Sequence, residues 1–333
     1  MSAIVAILAF SSALATAPQQ DVTAAPALPN CTEGVADDLA RRCPRVMREY
    51  FRSRGWLPSE GAISELDAAH GEILTLCTAL AAPCEWRIDW YATAPDVTRI
   101  KEWIALLDAD SRRLERFSRR DEACDRIVAM IDAARMLTLV ARLDTQQAAS
   151  RLAWQAIQRA DAFVPLSADA PRAKKIRDAC AALAAAQDLA WSTCVATEQI
   201  RWISRSQDRI RAGGDGASLY QSARSESAAI VSKANEYPLA RLRGEELLIE
   251  MRAGEPYFVA AAQAWKASDA TAQLAVLSAR AQRGEFGAWM AAARPDFGAI
   301  RGELNRTRAT LDALRDNANV RALESSTPNS SLR

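Results

Sequence analysis

The chain has 333 residues, half of them hydrophobic and a quarter charged, which is the composition of a globular protein and excludes a disordered one. Its 42 basic and 41 acidic side chains leave a net charge of +1, so no global field draws it to nucleic acid or to an anionic membrane. Alanine dominates the apolar fraction, while glycine and proline number only 13 each, and this mix favours helix over strand.

The first residues, "MSAIVAILAFSSALATAPQQ", are apolar from Ala3 to Phe10 and then turn to small residues. This pattern reads as a signal peptide over 1–17, cut near Ala15, with a short N-terminal anchor as the alternative. Residues 18–30, "PQQDVTAAPALPN", follow as a polar linker. Export would place the seven cysteines in an oxidising compartment, where they are expected to pair.

Residues 34–54 predict helix with a break at Cys43-Pro44, because proline suits a first turn and not an interior. A second helix is expected from Ser64 to Ala81, stopped by Pro83. "EWRIDWYATAP" (85–95) reads as an irregular, aromatic-rich connector, after which Asp96 caps a helix carrying Ile100, Trp103, Ile104 and Leu107. Residues 121–143 and 146–163 predict a helical hairpin. Asp169-Ala170-Pro171 opens a helix that runs to about Arg211, some 60 Å at about 1.5 Å per residue. "GGDG" (213–216) is the strongest punctuation and divides a helical domain over 31–212 from a second over 217–324. Helices are expected there at 217–235, 238–253, 256–282, 285–293 and 296–323, and the polar end, 325–333, is expected to be a disordered tail. The fold class is all-α: a multi-helix bundle or irregular array of helical hairpins, of about ten helices, with one very long helix near 170–211.

The stretch "HGEILTLCTALAAPC" (70–84) gathers the only histidine with two cysteines, His70, Cys77 and Cys84, at spacings of seven. On a helix, seven residues align the groups on one face but hold them about 10.5 Å apart. A zinc ion needs its ligands at about 2.0–2.3 Å, so these three cannot share a metal. The stretch therefore reads as a helix end closed by a Cys77–Cys84 disulfide, with Cys31–Cys43 as a second local pair. Cys124, Cys180 and Cys194 are left unassigned.

"SRRLERFSRR" (111–120) lines up Arg112, Arg116, Arg119 and Arg120, but Glu115, Asp121 and Glu122 lie close by, and the segment reads as a solvated helix face. G-x-S-x-G, H-E-x-x-H and phosphate-cradling glycine loops are all absent from the sequence. Carboxylates such as Glu245, Glu246, Glu250 and Glu255 are plentiful without forming a recognisable catalytic pair. Of the nine tryptophans, Trp86, Trp90 and Trp103, with Tyr91, cluster around the connector and form the candidate binding surface. Trp154, Trp191, Trp202, Trp265 and Trp289 fall at core-compatible helical positions.

"ARMLTLVARLDTQQAASRLAWQAIQRA" (134–160) and "LAVLSARAQRGEFGAW" (274–289) resemble helical hairpins of the tetratricopeptide kind, with Gly284-Glu285-Phe286 similar to that family's inter-helix turn. The constant 34-residue period of that family is missing, and Pro295 comes too early. The resemblance implies a concave peptide-binding surface and no catalysis.

Together these features predict an exported helical protein that binds or scaffolds in the bacterial cell envelope, with a protein or an envelope component as partner. No nucleic acid, metal, cofactor or catalytic residue is called for, and membrane contact arises only if the N-terminal segment is retained. The alternatives are a carboxylate-dependent envelope hydrolase and a membrane-anchored helical scaffold.

Overall fold

The computed structural model describes residues 27–36, 38–52, 57–83, 86, 95–164, 170–225 and 228–326. The segments expected to be a signal peptide (1–17) and most of a linker (18–30), and the end of the chain from residue 327, lie outside them. The helices are α1 (Pro44–Tyr50), α2 (Glu60–Ala68), α3 (His70–Ala81), α4 (Val97–Arg116), α5 (Arg120–Thr138), α6 (Leu143–Phe163) and α7 (Ala170–Arg211). Then follow α8 (Gly216–Arg224), α9 (Glu236–Ala240), α10 (Gly244–Trp265), α11 (Ala270–Gln282), α12 (Gly287–Ala292) and α13 (Phe297–Ser326). The architecture is all-α.

Local chemistry explains most boundaries. Pro44 occupies the first turn of α1, where its missing N–H costs nothing. Asp96 caps α4 by accepting from the Arg99 N–H at 3.0 Å. The helix expected over 64–81 is interrupted at Ala69, so α2 and α3 meet there. Two departures lie further on. The helix expected over 217–235 ends at Arg224. Ala229–Val231 (β1) instead pairs antiparallel with Ala293–Pro295 (β2) in the register Ala229↔Pro295 and Val231↔Ala293. Strands of three residues are too short to show a period of two. In α10 the helix runs straight through Pro256, because Met251, Gly254, Tyr257 and Phe258 are buried on both sides of it and packing outweighs the lost backbone bond.

Two hydrophobic cores form. The first gathers α1 to α6 and the N-terminal part of α7 as far as Ala184. The second takes α7 from Ala190 to Trp202 with α8 to α13 and Leu143 at the start of α6. They divide within α7, whose two halves face different partners, and α13 also serves both through Leu304 and Leu311. An 18-residue window of α7 is apolar enough by composition to cross a bilayer, but 56% of it is buried against neighbouring helices, as suits a core helix. "GGDG" proves to be a tight helix-to-helix joint. Gly213, at φ +81°, ends α7 with its N–H on the Ile210 carbonyl, while the Gly214 N–H bonds to the Arg209 carbonyl at 2.8 Å. Asp215 then caps α8 through the Ser218 N–H at 2.8 Å.

The expected disulfides Cys77–Cys84 and Cys31–Cys43 do not form, because Cys43 and Cys77 are both free thiols. Cys43 precedes Pro44 and turns into the core toward the Glu65 carbonyl. Cys77 faces α5 and accepts from the Arg126 guanidinium at 3.7 Å. Cys31 is disulfide-bonded, and Cys84 lies outside the described residues. Burial pushes the free thiols up, to about 11 at Cys43 and Cys77 and to about 12 at Cys124 and Cys180.

Candidate functional site

The sequence pointed to the tryptophans around the connector. Trp103 is 2% exposed and belongs to the first core, so it is no surface anchor. Trp86 packs against the same core and donates its Nε1 hydrogen to the Met136 carbonyl at 2.9 Å. Trp90 and Tyr91 lie outside the described residues. His70 opens α3, with its Nδ1 buried and unpartnered. Among the described residues, no three side chains of metal-binding type come together.

The arginine-rich stretch is a structural surface. Arg112 pairs with Asp108, and Arg119 with Glu122. Two of the carboxylates considered for hydrolysis act at helix starts: Glu246 accepts from the Arg243 N–H, and Glu250 from the Ala288 N–H. Of the tryptophans expected in the core, Trp191, Trp202, Trp265 and Trp289 are buried. Trp154 is 45% exposed.

A cleft in the second half of the fold combines polar groups differently. One face of α7 contributes Trp202, Arg205, Ser206 and Arg209, at the i, i+3, i+4, i+7 spacing that keeps side chains in one row. Leu219 and Ser222 of α8 form the opposite wall, and Trp289 of α12 closes the end, its ring centroid 6.2 Å from that of Trp202. The Gly213-Gly214 stop and the Asp215 cap fold α8 back against α7 just where Arg209 emerges. The cavity volume is about 30 Å³, room for roughly two water-sized groups.

Every side-chain polar group lining the cleft can donate a hydrogen bond, and none is a carboxylate. Trp202 is 7% exposed, and its Nε1 is buried without a hydrogen-bond partner. Arg209 is exposed and makes no ion pair among the described residues. Deeper along α7, Glu198 is fully buried and accepts from Arg201 at 2.6 Å and from the Leu143 N–H at the start of α6. Arg142 pairs with Asp144 at 2.7 Å. Desolvation first, and then the neighbouring Arg201 and Arg142 guanidiniums, lower the pKa of Arg205.

No protein-family model, curated protein or solved structure matches the chain. The chemistry of the cleft therefore stands on this chain's own residues.

The row "WISRSQDR" (202–209) carried a signal, since an aromatic residue and two arginines share one helical face. Read alone it looks like a core tryptophan beside solvated charge. The walls from α8 and α12 are distant in sequence and become visible only in the folded chain.

Proposed function

We propose that this chain is a helical binding protein of the cell envelope, acting outside the cytoplasm and holding its ligand in the cleft between α7, α8 and α12. One observation carries the reading: the cleft sets the exposed Arg209, which makes no ion pair among the described residues, beside the rings of Trp202 and Trp289. A concave site that joins aromatic surface to a guanidinium and hydroxyls, with no carboxylate in its lining, has the make-up of a small-ligand site. The apolar run Ala3 to Phe10 and the disulfide-bonded Cys31 support action in an oxidising compartment. The two continuous helices that border both cores, α7 and α13, supply a rigid frame for such a site.

Native mass spectrometry of the protein isolated gently from its host tests the reading. Wild-type protein should carry a non-covalent adduct that is lost on denaturation, and Arg209→Gln, an exposed change, should carry less of it. An adduct retained in full by Arg209→Gln and by Trp202→Phe would place the ligand elsewhere and overturn the proposal.

A further inference from the structure

We infer that the outer face of the α10–α11 hairpin is a self-association surface, on which a second copy of this chain docks about a twofold axis. The two helices leave an open groove of about 380 Å³ between them. Its floor is aliphatic, with Ala260 and Ala264 from α10 and Ala272 and Leu277 from α11. Ile249 and Val259 of α10 and Val276 of α11 are each more than half exposed. Ile249 shares one stripe of α10 with Pro256, Ala260 and Gln263, at i, i+7, i+11 and i+14, so the apolar band runs on past the groove. Apolar knobs standing beside an apolar hole are what one helix pair needs to pack on another.

Charge selects the occupant. Asp269, Gln273, Val276 and Arg280 line the groove in one row of α11, at i, i+4, i+7 and i+11. The Asp269 carboxylate accepts from the neutral Gln273 amide at 2.6 Å and makes no ion pair among the described residues. At the other end, Arg280 and Arg283 share one carboxylate, that of Glu285, at 2.7 and 2.9 Å, which leaves a cation in excess. The row is therefore negative at one end and positive at the other, about 16.5 Å apart along the helix.

A second α11 laid antiparallel over the first, about an axis level with Leu274 and Ala275, sets Asp269 of each copy opposite Arg280 of the other. The same axis sets Val276 of each copy opposite Gln273 of the other, over the groove floor. The two helix dipoles then oppose each other as well. One patch supplies both halves of every contact, as a twofold dimer requires. The ion pairs at the rim fix the register, and the valines and the alanine floor supply the apolar area buried.

Sedimentation equilibrium and native mass spectrometry of the full chain, from roughly 1 to 500 μM, test the surface. Wild type should form dimers reversibly. Val276→Glu, an exposed change, should keep the wild-type melting temperature and weaken the dimer by about tenfold or more, because it sets an unpaired charge in the apolar centre. The charge pairs give a second, independent reading. Asp269→Arg opposes two guanidiniums in its own dimer and Arg280→Asp opposes two carboxylates, so each alone should be monomeric where wild type is dimeric. Arg283 still holds Glu285 in Arg280→Asp, which keeps the turn. Mixed together, the two variants should recover a dimer, since both contacts are again Asp to Arg, and their different masses separate mixed from like pairs. A wild type that stays monomeric over the whole range overturns the inference and leaves the groove to another occupant. A dimer that survives Val276→Glu lies on another face and also overturns it, as do swap variants that fail to recombine on mixing.

Discussion

Asp110 offers the sharpest perturbation of the first core. Its carboxylate is fully buried, with one oxygen accepting from Arg113 Nε at 2.8 Å and the other from Arg126 Nε at 2.7 Å. Both guanidiniums are only 2% exposed. Arg113 also reaches Asp67 of α2, and Arg126 reaches Cys77 of α3, so this one carboxylate holds four helices in register. Asp110→Asn keeps the shape and removes the charge. Removing one partner of a buried pair costs about 3–5 kcal/mol, because an uncompensated charge stays behind. Asp67 remains for Arg113, so the loss is set mainly by Arg126, near the lower figure of about 3 kcal/mol. At about 1.4 °C per kcal/mol for a chain of 333 residues, calorimetry should find the melting transition lowered by about 4 °C. Urea unfolding followed by far-UV circular dichroism should give the same free energy with an unchanged slope. The double variant Asp110→Asn/Arg126→Gln should recover part of the loss, since the stranded cation is gone. A single variant within about 1 kcal/mol of wild type would refute the reasoning.

The remaining predictions concern a turn, a carboxylate and the thiols. Gly216→Ala should destabilise by about 2 kcal/mol or more in urea titrations, because the new Cβ would run into the Leu239 carbonyl oxygen, which is backbone and cannot swing aside. Gly61→Ala meets only the mobile end of the Arg45 side chain, and should be neutral or stabilising by up to about 1 kcal/mol in the same assay. Asp144 is held at about 2, against an ordinary value of 3.8: burial raises it, but the hydrogen bond and charge of Arg142 outweigh the burial. A depressed carboxylate stabilises above the unfolded pKa and loses that contribution as pH falls, so Asp144→Asn should cost about 2 kcal/mol at pH 7 and progressively less from pH 4 downward. Urea midpoints measured across that range check the trend. Alkylation at pH 8 should leave Cys43, Cys77, Cys124, Cys180 and Cys194 unmodified in the native protein and label all five after denaturation, with Cys31 labelled only after reduction.

What the sequence revealed depended on how local the determinant was. The all-α class, the Asp96 cap, Pro44 in a first turn and the long helix to Arg211 rest on neighbours within a turn or two, and they are present in the fold. "GGDG" was legible as a break, yet its chemistry is a helix stop joined to a helix start, and the two cores separate inside α7 instead. Closeness in sequence suggests the pairs Cys77–Cys84 and Cys31–Cys43. In the fold, the Cys43 thiol turns into the core and Cys77 faces Arg126, neither of which the spacing encodes. The same limit applied to function. Trp103 stood out beside an irregular connector but is buried, while Trp202 looked like ordinary core and lines a cleft. Only the approach of Ser222 and Trp289 turns that face of the helix into a cleft.

The most direct test of the central claim is the indole ¹H–¹⁵N resonance of Trp202, recorded in protein taken from its native host before and after stripping by unfolding and refolding. A ligand held in the cleft predicts that this resonance moves upfield on stripping, while that of Trp103 in the first core stays fixed. A Trp202 resonance unchanged by stripping, in a preparation shown to carry its native adduct, would contradict the account.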